Sequence, residues 1–213
     1  MAYNISKNLN GTTKKYKCQE FLYNECFDNN NIKYNFGGFG VDNNTRMTSG
    51  GAVISNINIR FQPFIIYSQT KIKNFCFEIS GSTPTNLNNL IVFGLYDIGA
   101  NKKPNNKIWN SQEYNETTLF NTYGSATRIK ESPTNEIVLN AGIYFFGGQS
   151  SIGSVNTIRR TTDNLASAIL ALGGTTASYT TTNTYNATLP ANVNANTFAN
   201  STSAELFMYI EEY

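Results

Sequence analysis

Across 213 residues, enough for one domain or for one domain plus an arm, only 14% are charged, against about one-quarter in an average soluble domain. Sixteen basic and fourteen acidic side chains leave a formal charge of +2, and their scatter excludes the concentrated cationic face that nucleic acid requires. Histidine is absent, which excludes Ser-His-Asp and Cys-His catalysis, His-ligated zinc and the usual general base near neutral pH.

The polarity comes instead from 32 Asn, 24 Thr and 16 Ser. These residues compete locally for backbone hydrogen bonds or are stiff at χ1, so they favour turns and strands over helix interiors. Thirteen Tyr and fourteen Phe suit a pleated surface. The expected class is all-β.

Residues 1–45 read as an N-terminal arm. Tyr16, Phe21, Tyr23, Phe27, Tyr34, Phe36 and Phe39 follow no sustained period and are interrupted by Asp28-Asn29-Asn30-Asn31 and Gly37-Gly38-Phe39-Gly40. Such a segment is too aromatic for a plain disordered tail, so it is expected to order against a partner or a sister chain. The alternative is an irregular first sheet of the main domain. The basic run Lys14-Lys15-Tyr16-Lys17 reads as a solvated segment.

Residues 46–213 read as the main domain. Val53, Ile57, Ile59 and Phe61 share one parity, with Asn56, Asn58 and Arg60 on the other, as in a half-buried strand; Phe75, Phe77 and Ile79 repeat that pattern. Leu90-Ile91-Val92-Phe93-Gly94-Leu95-Tyr96 is apolar on both parities, which predicts a strand covered on both faces. Glu136-Ile137-Val138-Leu139 and Ile143-Tyr144-Phe145-Phe146 flank Asn140-Ala141-Gly142, which predicts a hairpin with Gly142 at positive φ. Gly147-Gly148-Gln149-Ser150-Ser151 reads as a strand-end turn. Leu165, Ala168, Ile169 and Leu172 have helical spacing, with Thr162 or Asp163 as cap and Gly173 as stop. Residues 175–203 read as a long surface loop with an edge strand around residues 179–185, and Leu206-Phe207-Met208-Tyr209-Ile210 as a last apolar strand. The expected architecture is a jelly-roll-like β-sandwich with an extended N-terminal arm and one short helix.

The N-terminus carries no apolar run of a secretory signal, and no stretch is long enough for a membrane span. Cys18, Cys26 and Cys76 form an odd set without a CxxC spacing and are expected as free buried thiols; Cys18 and Cys26 could pair, but spacing alone does not support it. No calcium loop or phosphate-binding loop occurs, so neither metal nor cofactor is expected. Carboxylate-pair hydrolysis of a glycan is the remaining catalytic route, with Glu78, Asp97, Glu113, Glu116 and Glu136 available. Glu78 and Glu136 fall on the parity opposite their apolar neighbours and read as solvent-face acids, so the chain is expected not to be an enzyme. For glycan binding without catalysis, Trp109, Tyr114, Tyr123, Tyr179 and Tyr185 lie nearest the expected loops; core or interface packing is the competing role for each.

The middle of the chain resembles a known pattern. Leu90 to Asp97 (LIVFGLYD), Gly99, Pro104, Ile108-Trp109-Asn110-Ser111 and the run Ile137 to Phe146 (IVLNAGIYFF) are similar to the Gly-Leu-Tyr-Asp…Gly…Pro…Ala-Gly-x-Tyr domain of phage tail and head fibres and other virion proteins. Thr70 to Phe75 matches its preceding strand, and Thr157-Ile158-Arg159-Arg160 and Leu172-Gly173-Gly174 its downstream motifs. The spacer Ile98 to Lys103 departs from that family's Gly-rich version. The resemblance implies a jelly-roll-like, homotrimeric protein of the virion surface, made in the host bacterial cytoplasm, bound to the capsid or another virion protein through residues 1–45 and contacting host-surface glycans. Neither nucleic-acid binding nor membrane insertion is expected, from the scattered charge and the lack of a long apolar run. A tail-fibre receptor-binding tip and a glycan-cleaving enzyme are the alternatives.

Overall fold

The computed structural model describes residues 2–9, 12–19, 22–27, 30, 32–35, 47–48, 56–79, 83–124, 127–153, 155, 158, 160–161, 178–193, 198–201, 205–206 and 208–213. In chain order these form β1 (Ala2–Leu9), β2 (Thr12–Gln19), β3 (Leu22–Phe27), β4 (Lys33–Asn35), β5 (Met47–Thr48), β6 (Asn58–Ile66), β7 (Thr70–Glu78), β8 (Leu90–Ile98), β9 (Pro104–Asn110) and β10 (Tyr114–Asn115). There follow α1 (Glu116–Tyr123), β11 (Arg128–Glu131), β12 (Ile137–Leu139), β13 (Gly142–Ser150), β14 (Arg160–Thr161), β15 (Ser178–Thr182), β16 (Phe198–Ser201), β17 (Glu205–Leu206) and β18 (Met208–Glu212).

Two antiparallel sheets pack together as an all-β sandwich. The first runs β1-β2-β3-β4-β18-β7, with β11 and β12 both on the far side of β7. The second runs β8-β13-β6-β15-β16, with β9 and β10 on the outer side of β8. A small third sheet joins β17, β14 and β5. From β6 to β8 the chain changes sheet at every strand, and it changes again at β11, β13 and β18, the alternation of a jelly-roll-like sandwich. Strands β1, β2 and β3, which fall in the expected arm, lie at the edge of the first sheet; β4 joins them to β18 through Asn35 opposite Ile210 and Tyr34 opposite Glu211.

Between the sheets lie Phe64, Phe75, Phe77, Ile91, Phe93, Leu95, Phe146, Met208 and Ile210. Phe64 and Phe146 meet edge-on at 4.7 Å, and Phe77 and Phe93 lie 5.0 Å apart. A second cluster covers the opposite face of the second sheet: Ile59, Phe61, Val92, Tyr96, Phe145, Tyr179, Leu189 and Val193. Odd residues of β8 thus face one cluster, while Val92 and Tyr96 face the other, as its unbroken apolar run predicts. Each such fully buried side chain contributes about 1.5–3 kcal/mol. The cover on that outer face is residues 183–193. They are tied down by Tyr96 Oη donating to the Pro190 carbonyl (2.9 Å), Leu189 N to Asn110 Oδ1 (2.9 Å) and Val193 N to the Asn105 carbonyl (3.0 Å).

Several local expectations are corrected. Residues 137–139 and 142–150 do not form a hairpin: β12 pairs with β7 and β13 with β6 and β8, so residues 140–141 turn a corner between sheets. Among described glycines only Gly124 has positive φ, so Gly142 serves no left-handed turn. Gly147 and Gly148 sit inside β13 rather than in a strand-end turn. The strand near residue 179 is internal, between β6 and β16, not an edge. The helix expected near residues 163–172 lies outside the described residues. Helix α1 is elsewhere, capped by Asn115, whose side chain accepts from Thr118 N, and closed by Gly124.

Gly94 and Gly147 stand opposite each other in the β8–β13 register, on the outer face. A Cβ on Gly94 would lie 3.0 Å from Leu189 Cδ1 and 3.1 Å from the Tyr96 ring; one on Gly147 would lie 2.9 Å from the Phe61 ring. That ring packs edge-on against Tyr96 at 5.1 Å and cannot retreat into an occupied core. Gly147→Ala is therefore expected to lower stability by about 1–3 kcal/mol in urea unfolding. Gly142→Ala, whose Cβ would approach nothing closer than 3.8 Å, is expected to stay within about 0.5 kcal/mol of the parent protein.

Candidate functional site

Where β9, beside β8, and the connection from β11 to β12, beside β7, edge the two sheets, they border a groove of about 480 Å³, lined by residues 108–110 and 131–138. A bulge in β9 sets one wall. Trp109, opposite Leu95 in the ladder, turns inward and stacks on Phe75 at 3.8 Å, leaving only 8% of its surface exposed. Ile108, the extra residue between the pairs Trp109–Leu95 and Lys107–Tyr96, and Asn110 line the groove beside it. Asn110 is committed to the protein: its Oδ1 accepts from Leu189 N, and its Nδ2 donates to the carbonyls of Ser111 (2.8 Å) and Ala187 (3.2 Å).

The facing wall is a turn signalled in the sequence by Glu131-Ser132-Pro133-Thr134-Asn135. Glu131 anchors it, accepting from Gln112 N (2.7 Å) and from Tyr114 Oη (2.5 Å). Burial raises the Glu131 pKa, against the lowering effect of these two donors. Ser132 Oγ donates to Asn74 Oδ1 at 2.7 Å, and exposed Glu136 pairs with Lys71. Ile108 and Val138 add exposed apolar surface. The groove therefore offers apolar patches beside amide, hydroxyl and carboxylate groups.

The five aromatics named from sequence are not brought together. Trp109 lines the groove by its edge, while Tyr114 packs in the inter-sheet core against Phe77 at 5.1 Å. Tyr179 belongs to the outer cluster, 5.9 Å from Phe145. These three are each less than a tenth exposed, and packing accounts for their rings. Tyr185 is half-buried beside the outer cluster and donates its hydroxyl to Glu113 Oε2 at 2.8 Å; burial and that carboxylate raise its pKa. Tyr123, at the end of α1, is 46% exposed. From sequence, Asn110 was named only in the family pattern, Glu136 only as an available carboxylate and Ile137 and Val138 only as strand residues; residues 131–135 were not singled out, because the wall arises only where two segments more than twenty residues apart meet.

The acids are likewise held by protein groups. Asp97 accepts from Asn106 N (2.6 Å) and Asn106 Nδ2 (3.0 Å), closing the β8–β9 turn. Glu116 accepts from Asn89 Nδ2 at 3.0 Å, and the same buried asparagine accepts from Ile152 N at 3.0 Å, tying α1 to the turn after β13. The solvent-face reading holds for Glu136 but not for Glu78. Glu78 is fully buried, 3.6 Å from Arg128 Nε, and accepts from Tyr209 Oη at 3.0 Å. Alternation located its face correctly; that face of the first sheet is simply not open to solvent. No protein-family model matches the chain, and the comparison with curated proteins finds no match. Among the described residues, no helix is long and apolar enough to cross a membrane.

Further along the same face, buried Glu211, opposite Asn74 in the ladder, meets Lys73 (3.1 Å), Lys130 and Asn74 Nδ2 (3.2 Å). Burial alone would raise its pKa, but the bonds from Lys130, Lys73 and Asn74 prevail and hold it below the usual carboxylate value. A depressed folded pKa contributes stability above the unfolded value, and that contribution is lost as pH falls through the folded one. Glu131, with a raised pKa, acts in the opposite sense, so the variant isolates the Glu211 contribution. Stability measured by denaturant unfolding between about pH 7 and about pH 3 is expected to fall less steeply in Glu211→Gln than in the parent protein.

Proposed function

We propose that this chain is a non-enzymatic structural protein on the surface of a tailed bacteriophage particle: a homotrimeric head fibre or capsid decoration protein held by residues 1–45. The observation that carries this reading is the role of the residues behind the resemblance. Gly94 admits Leu189 and the Tyr96 ring, Tyr96 anchors the Pro190 segment, and Asp97 closes the β8–β9 turn. Trp109 stacks on Phe75, and Ser111 Oγ accepts from Phe93 N at 2.9 Å. The motif is thus a folding motif, which supports kinship of architecture with virion-surface sandwiches rather than a transferred active site. The absence of histidine and the commitment of Asp97, Glu78 and Glu116 to structural partners support a non-catalytic role. Host-glycan contact, in this reading, falls to the groove beside Ile108, Thr134 and Asn135.

Antibody to the protein is expected to decorate capsids in electron micrographs, and light scattering is expected to give three times the chain mass at micromolar concentration. Decoration of the tail instead would favour the receptor-binding tip, and breakdown of host polysaccharide by purified protein would favour the glycan-cleaving enzyme. A stable monomer would remove the trimer.

The joint between arm and sandwich can be tested separately. Lys33 pairs with Glu212 at 2.7 Å and Asn35 is fully buried against the first sheet, so β4 is part of the sandwich in the packing sense. Deleting residues 1–30 is expected to leave a cooperative unfolding transition while abolishing incorporation into particles; deleting residues 1–45 is expected to lower the thermal midpoint further.

A further inference from the structure

Three cysteines leave one unpaired whatever happens, and the strand register decides which. Cys18 on β2 stands directly opposite Cys26 on β3, between the pair Lys17–Phe27 and a register shift after which Gln19 meets Leu22. Residues directly opposite in an antiparallel ladder occupy the same face, with Cα atoms about 4.5 or 5.5 Å apart according to the hydrogen-bonding pattern. Both values fall within the window of roughly 4.4–6.8 Å that a disulfide accepts. The third cysteine is excluded by position. Cys76 on β7 stands opposite Tyr209 on one side and Lys130 on the other, and β4 and β18 intervene between β3 and β7. Strands are about 4.8 Å apart, so Cys26 and Cys76 are separated by about 14 Å, beyond bridging. Cys76 is also fully buried, and burial pushes its thiol up to about 12, which leaves almost no thiolate to react.

We propose that Cys18 and Cys26 are a redox-controlled pair, open as two thiols in a reducing compartment and closed as a cross-strand disulfide once the chain meets an oxidising one. The oxidant class is a low-molecular-weight disulfide. One cysteine thiolate attacks a sulfur of that reagent, forming a mixed disulfide and expelling one reagent thiolate. The second cysteine thiolate then attacks the protein sulfur of the mixed disulfide and expels the other. Two protein thiols are oxidised, one reagent disulfide is reduced to two thiols, and the two protons pass to the leaving thiolates. Closure joins β2 to β3 covalently beside the point where the ladder register shifts, and so fixes the pairing of Cys18 with Cys26. The lock acts on β2 and β3 whatever residues 1–45 attach to, so its test is independent of the proposed function.

Lys17 and Lys33 flank both cysteines without an intervening basic residue, so trypsin releases residues 18–33 as one peptide in either state. The full chain, both as folded protein and after refolding from denaturant, is incubated with oxidised glutathione or with excess dithiothreitol, denatured, alkylated and digested. After glutathione disulfide the peptide is expected to carry no alkyl group and to be lighter by two hydrogen atoms. Further cleavage after Glu20 or Glu25 should leave its pieces joined until reduction. After dithiothreitol both cysteines should be alkylated, and the Cys76 peptide should be alkylated in both samples. Cys76→Ser should behave as the parent protein, whereas Cys18→Ser should show only a glutathione adduct at Cys26. The oxidised parent, but not the oxidised Cys18→Ser variant, should melt several degrees higher than its reduced form. Two alkylated thiols, stable glutathione adducts at both positions, or linkage between two chains in the glutathione sample of the refolded parent protein would overturn the pair.

Discussion

Because β8 and β13 are buried on both faces, each must satisfy two cores at once, and most other features follow from that constraint. The inner core takes Phe93, Leu95 and Phe146; the outer takes Val92, Tyr96 and Phe145. Where the two strands meet at Gly94 and Gly147, the missing side chains make room for the Tyr96 and Phe61 rings and for Leu189. A sheet covered in this way needs a lid over its outer face, and residues 183–193 supply it. The lid is held both by hydrogen bonds with Tyr96, Asn110 and Lys107 and by the burial of Leu189 and Val193.

The first sheet solves a different problem. Its outer face carries Asn74, Cys76, Glu78, Tyr209 and Glu211, all buried. Charges out of water require partners, and here they have them: Arg128 and the Tyr209 hydroxyl for Glu78, and Lys73, Lys130 and Asn74 for Glu211. Such an arrangement adds little net stability relative to apolar packing, but removing one member leaves the others stranded. The acids that could serve catalysis in a chain without histidine are, at these positions, parts of the scaffold.

The candidate site was legible in the sequence only in part. Trp109 was singled out and does line the groove, yet its ring is spent on Phe75. An aromatic near an expected loop can belong to either core or surface, and local sequence carries no term for what stands above the ring. Tyr114 and Tyr179 are in the same position. The opposite wall, residues 131–138, contains the turn chemistry of Ser, Pro, Thr and Asn, which marks a loop but not its partner.

What the sequence determined by itself is whatever depends on near neighbours. The β class follows from Asn, Thr, Tyr and Phe content; the inward face of β7 follows from alternation; the two-sided burial of β8 follows from its unbroken apolar run. Helix α1, capped by Asn115 and closed by Gly124, was not read from the sequence, where helical spacing pointed to residues 165–172 instead. Only the tertiary structure decided which strands meet. Residues 137–146 have the pattern of a hairpin but divide between two sheets, because β7 offers β12 an open edge while β13 is drawn between β6 and β8. Glu78 alternates as a surface residue and is buried, because alternation reports which side a residue faces and not what covers that side. Cys18 and Cys26 are brought opposite each other by a ladder register that no spacing in the chain encodes. Periodicity is a property of one strand, whereas pairing, cover and register are properties of two.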